Sequence, residues 1–139
     1  MALNGRPLLR GSMVAGGAVT AFRFVDFSGN QAATQGISCR GVSVFAAAAE
    51  GAQLTVTEKG SEIVEAGGAI SAGADIITDN EGRAIAASAL AIAAGATEVT
   101  SAAANGATDL TGTTLPATLM GRALNAATGA GQFVEVLLV

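Results

Sequence analysis

The sequence predicts a mainly β protein, a small single-domain β-barrel or sandwich of short strands and hairpins with at most one short helix. Three observations carry that expectation. Apolar and polar residues alternate over short runs, as where Leu54 and Val56 interleave with Thr55 and Thr57 in "QLTVTEKG", the period of a half-buried strand. Glycine, at 19 of 139 positions, tends to bound such runs and so punctuates them as turns. The chain closes on "GQFVEVLLV", a strong strand. At 139 residues it is the size of one domain.

In chain order, residues 1–17 read as an irregular arm with Pro7, four glycines and three leucines, Leu3, Leu8 and Leu9. Residues 18–139 form the β-rich domain. Its first strand, "AVTAFRFVDF", places Thr20, Phe22 and Phe24 on one side and Ala21, Arg23 and Val25 on the other, and "SGNQ" turns the chain. "GVSVF" is a further strand. "QLTVTEKG" and "SEIVEA" are expected to form a hairpin closed at Lys59-Gly60. "DIIT" and "RAIAA" flank "DNEG", a second hairpin whose Asp75, Asp79 and Glu81 solvate its edge. The alanine-rich stretch after it admits a short helix near residues 86–94, within an excursion at residues 88–118 that carries one strand around residues 98–101. A faint internal echo links "RGVSVFAAAAEGAQLTV" from Arg40 with "RALNAATGAGQFVEV" from Arg122, with spacings that differ by about two residues.

Composition limits function more than it defines it. Hydrophobic residues make up 50% of the chain, yet its only aromatics are five Phe. A core of small side chains gains less burial per residue than an aromatic one, so association with identical neighbours is expected. The net charge of −4 and the absence of any basic run argue against a nucleic-acid partner, since that affinity rests on neutralised phosphates. Arg6 and Arg10 precede "GSMVAGGAVTA" in a loose likeness to a signal peptide, but three glycines dilute it. No segment approaches the roughly 20 apolar residues of a membrane span, and no membrane partner is expected.

Catalytic equipment is sparse. There is no histidine or tyrosine, so acid and base chemistry would fall to carboxylates or Lys59. No enzyme activity and no cofactor is expected. Cys39 is the lone cysteine, without a partner for an intrachain disulfide or a histidine to activate it, and reads as a small hydrophobe. Asp75, Asp79, Asn80 and Glu81 offer oxygen ligands but lack the alternation of a calcium loop; solvated turn residues explain them, and no metal is expected. Glu58, Glu62 and Glu65 offer carboxylates for paired glycosidase chemistry, but charged residues at alternating positions on a hairpin read as its wet face. Gly67, Gly68 and Gly73 lack the spacing of a phosphate-binding loop.

The order of the segments carries more information than any one of them. "GVSVFAAAAEGAQLTVTEKGSEIVEAGGAISAGADIITDNEGRAIAA", followed after the excursion by "LMGRALNAATGAGQFVEVLLV", resembles the capsid cement or head decoration proteins of tailed bacteriophages, the structural cement proteins. The long excursion and the arm depart from the family's compact pattern. The resemblance implies a mainly β homotrimer, made in the host bacterial cytoplasm and bound to the outer surface of the expanded head. Its partners would be the major capsid protein and itself. The arm then supplies the expected capsid or inter-subunit contacts: Leu3, Pro7, Leu8 and Leu9 as apolar groups, Arg6 and Arg10 as partners for acidic ones. A glycan- or receptor-binding β module of a phage fibre or surface structure is the alternative, although its usual aromatic platforms are not expected where Phe22, Phe24, Phe27, Phe45 and Phe133 sit mostly at core-facing strand positions.

Overall fold

The computed structural model describes residues 3–88 and 117–139, and eight strands account for the regular structure among them. They are β1 Pro7–Val14, β2 Phe24–Val25, β3 Gly41–Ser43, β4 Gln53–Glu65, β5 Asp75–Thr78, β6 Ala84–Ala86, β7 Gly121–Ala123 and β8 Phe133–Leu138. Every pairing between them is antiparallel. The strand order is β2-β3-β4-β8-β7-β5-β6, with β1 added to β4, and the sheet curls into a nearly closed barrel. No helix occurs among the described residues. The helix expected near residues 86–94 starts on Ala86, which belongs to β6; its remainder from residue 89, the strand around residues 98–101 and most of the excursion lie outside the described residues.

The expected hairpin at Lys59-Gly60 is instead the middle of β4, the longest strand. Gly60 takes a φ of +99°, yet the chain does not reverse there. It changes partner: residues up to Gly60 pair with β1 and β3, and from Gly60 onward the strand pairs with β8. A Cβ at Gly60 would run into the Arg6 carbonyl oxygen and the Leu8 backbone nitrogen. Glycine is therefore needed for close approach as well as for φ.

β4 also explains why residues 1–17 are not an irregular arm. Its first half offers an open edge, and Pro7–Val14 fills it as β1, from Pro7 opposite Gly60 to Val14 opposite Gln53. Register shifts around Leu9 break the alternation of faces. Leu8 and Leu9 are consequently both exposed, at 85% and 51%, and the first half of the strand lacks the period-2 burial that betrays strands in sequence.

The "AVTAFRFVDF" strand is also shorter than expected. Only Phe24–Val25 pairs as β2, because Phe22 adopts a φ of +62° and breaks the run. Its N–H donates to the Ser43 carbonyl at 2.8 Å. The "SGNQ" turn and the "DNEG" hairpin form as expected, and they are built alike. The Asp26 Oδ1 accepts from the N–H groups of Ser28 and Asn30, at 2.8 and 2.9 Å. The Asp79 Oδ1 accepts from those of Glu81 and Arg83, both at 2.8 Å. Asp79 is thus a buried turn clamp rather than a solvated edge residue.

That likeness extends through the chain, in a larger register than the echo from Arg40 and Arg122. "AGGAVTAF" from Ala15 and "AGGAISAG" from Ala66 make the same corner. Val19 exchanges backbone hydrogen bonds with Ala47 at 2.8 and 2.9 Å, as Ile70 does with Ala127. Arg40 donates to Val25 and Met120 to Ile76, both at 2.8 Å. Phe22 stands where the second copy has Gly73, whose φ is +83° and whose N–H donates to the Ala123 carbonyl at 2.8 Å. The molecule is a duplicated motif in which the last strand of the first copy runs through Gly60 into the first strand of the second.

The buried side chains form two clusters, a small one within the first copy and a larger one that joins residues of both copies. Ala15, Val19, Val25, Ala47, Leu54 and Val56 form one cluster. Their counterparts Ala66, Ile70, Ile76, Ala127, Val134 and Val136 belong to the other, with Phe24, Val42, Val64 and Cys39 among the added members. Of the five Phe, only Phe24 lies fully in a core. Phe27 and Phe45 are 68% and 66% exposed and Phe133 partly so, which corrects the expectation that these residues serve core packing. Phe27 lies on a turn and Phe45 just beyond β3, where alternation no longer sets the buried side.

Candidate interaction surface

The three glutamates of β4 are committed to structure. Glu58 pairs with Arg40 at 2.7 Å, Glu62 with Arg10 at 3.0 Å and Glu65 with Arg23 at 2.7 Å. None lies on a wet hairpin face: Glu62 is buried, and Glu58 and Glu65 are half-buried. Glu62 Oε2 also accepts the Thr57 hydroxyl at 2.7 Å, and Arg10 Nε donates to the same hydroxyl oxygen at 3.2 Å. β1 and both halves of β4 are locked together by this network. The arginine partners come from separate segments earlier in the chain, so their pairing leaves no local sequence signature.

In the proposed acidic cluster, Asp79 Oδ2 accepts Arg83 Nε at 2.7 Å, and Asp75 pairs with Arg122 at 3.0 Å. Among the described residues no group of three or more His, Cys, Asp or Glu side chains is placed to hold a metal ion. Cys39 lies buried in the larger core with its thiol 3.6 Å from the Ile37 carbonyl oxygen. Burial, with Asp26 nearby, pushes its pKa from 9.0 up to about 12, which keeps the sulfur in its poorly nucleophilic thiol form.

The arm residues do not act as a unit. Arg10 is spent on Glu62, and Leu3 and Pro7 are half-buried. Leu8 and Arg6 instead line an open groove of about 530 Å³ with Ser61, Leu124, Glu135 and Leu137. The Arg6 N–H donates to Ser61 Oγ at 3.1 Å, and the Ser61 N–H donates to the Arg6 carbonyl at 3.0 Å. Ser61 Oγ donates in turn to Glu135 Oε1 at 2.6 Å. Neither the Arg6 guanidinium nor the Glu135 carboxylate has an ion-pair partner among the described residues. Sequence reasoning missed Leu124, Leu137 and Glu135 because β7 and β8 meet the N-terminal segment only through the sheet.

Among the described residues, fold and surface define a small β protein with an open groove of leucines edged by Arg6 and Glu135. Its fold is similar to that of a bacteriophage structural protein, the N base of the head fiber gp8.5 of phi29, with a TM-score of 0.64 over 94% of this chain and 95% of that one. Sequence identity is 18%, so the likeness is one of fold. No family model and no curated protein matches the chain.

Proposed function

We propose that this chain is a structural protein of the phage head surface, a decoration or cement protein that binds the expanded shell between capsid subunits and stabilises it against internal DNA pressure. The observation that carries this reading is the fold likeness to a head fiber base over nearly the whole of both chains, in accord with the order of segments in the sequence. The site chemistry agrees with a non-catalytic role: the β4 glutamates are held by arginines and the lone thiol is buried.

The mechanism is mass action. Copies that bind the mature lattice and not its broken or precursor forms stabilise each site by RT ln(1 + [L]/Kd). Many modest interfaces then oppose the outward pressure. Heads carrying the protein should release their DNA at a higher temperature than heads lacking it; equal release temperatures would refute the mechanism.

A second reading is favoured by Phe27 and Phe45, which stand exposed on loops, as aromatic platforms for a glycan or receptor do. Under it the chain is the binding module or base of a fibre. Loss of host-cell adsorption in Phe27→Ala or Phe45→Ala phage, with head stability intact, would support that role over cementing.

A further inference from the structure

We propose that the groove between the N-terminal segment and β8 is the seat of a neighbouring copy of this chain, with Arg6 of one protomer reaching Glu135 of the next. The inference rests on reading the protein as a homo-oligomer of the head surface and assigns the surface through which it assembles.

The duplicated motif provides an internal control. In the first copy, Arg10 lies opposite Thr57 in the β1–β4 ladder; in the second, Ser61 lies opposite Leu137 at the equivalent place in the β4–β8 ladder. Arg10 and Glu62 cover Thr57 completely. Ser61 is too short to cover Leu137, which remains 48% exposed beside Leu124 and the protruding Leu8. The fold therefore does not require an open apolar groove at this position; the equivalent place is closed by polar side chains, Arg10 of the first copy and Glu62 of the second. What distinguishes the second is a set of three leucines with one cation and one anion that have no ion-pair partner among the described residues.

That charge pattern identifies the occupant. A groove edged by both signs is matched by another groove of the same kind: in a closed ring every Arg6 meets the next protomer's Glu135 and no charge is left over. Three copies about one axis satisfy this, as does any other closed number. An uncharged apolar partner would leave both ions desolvated without compensation.

The test uses the full chain, with mass measured by light scattering after gel filtration over a range of concentrations. Wild type should associate. Arg6→Glu and Glu135→Arg, which each oppose like charges across the contact, should each weaken association by at least about tenfold, and the double exchange R6E/E135R should recover it. Leu8→Ser, at a highly exposed position, should weaken association while keeping the wild-type circular dichroism and melting curve, which guards against misfolding of the charge variants. A monomeric wild type, single variants that associate as wild type does, or an exchange that recovers nothing would overturn the proposal. Binding of the same variants to heads is measured separately: a monomer that still decorates heads, or a Leu8→Ser protein that keeps its oligomer but loses heads, overturns the groove assignment while leaving the head-surface function standing.

Discussion

Phe22 and Gly73 occupy equivalent corners with positive φ, a conformation that costs a side-chain-bearing residue roughly 1–2 kcal/mol. Phe22 meets that cost with packing: its ring lies edge-on to Phe133, centroids 5.6 Å apart at 81°. Gly73 has no such neighbour, and a Cβ there would meet nothing within 4 Å. Gly73→Val should therefore destabilise the fold by about 1–2 kcal/mol through backbone strain alone, measured by urea denaturation; no loss would mean that the corner relaxes. Nothing in the identity of a phenylalanine signals this conformation, and only its alignment with a glycine reveals it. Cys39, by contrast, was legible as an inert apolar residue. Its folded pKa, near 12, lies above the ordinary 9.0, so its contribution to stability is complete below about pH 9 and declines as pH rises towards 12. Cys39→Ala should lack that part of the alkaline loss, and in wild type a thiol reagent should modify Cys39 only as fast as the protein opens. Rapid labelling of the native protein would contradict its burial.

At the scale of elements, the sequence disclosed strands whose two faces differ and turns built by local side chains. The Asp79 hairpin and β8 formed where expected for those reasons. β1 and the continuity of β4 were not legible: one lacks alternation over its first half, and the other contains a glycine that in isolation looks like a turn. The Thr57–Glu62–Arg10 network was hidden as well, because it joins residues remote in sequence. Glu62→Ala would leave the buried Thr57 hydroxyl without its acceptor and Arg10 without its partner, and should cost about 2–3 kcal/mol. Asp75→Ala breaks the exposed pair with Arg122 and should cost less than about 1 kcal/mol. Comparable losses in the two variants would mean that β4 is not held by its ion-paired glutamates. Deleting the N-terminal segment is a poor test of shell contact, since it removes β1; Leu8→Ser removes an exposed group while leaving the ladder.

For the molecule as a whole, the mainly β class was already present in the order of short segments, whereas the duplication was visible only as a faint echo. Its corners, "AGGAVTAF" and "AGGAISAG", are built from small common residues, and their equivalence becomes plain only when matched hydrogen bonds fix the register. Duplication also shows how a chain without Trp or Tyr folds at all: two modest cores of Val, Ile and Ala are tied through one long strand. The groove was not legible, because Arg6, Leu8, Leu124, Glu135 and Leu137 converge from both ends of the sequence.

The most direct test of a head-surface structural role is the copy number of this chain relative to the major capsid protein in particles separated on a density gradient. A near-stoichiometric ratio in full heads, with little in precursor shells, is the predicted result. A few copies per particle would move the protein to a fibre, and absence from particles would contradict the capsid function altogether.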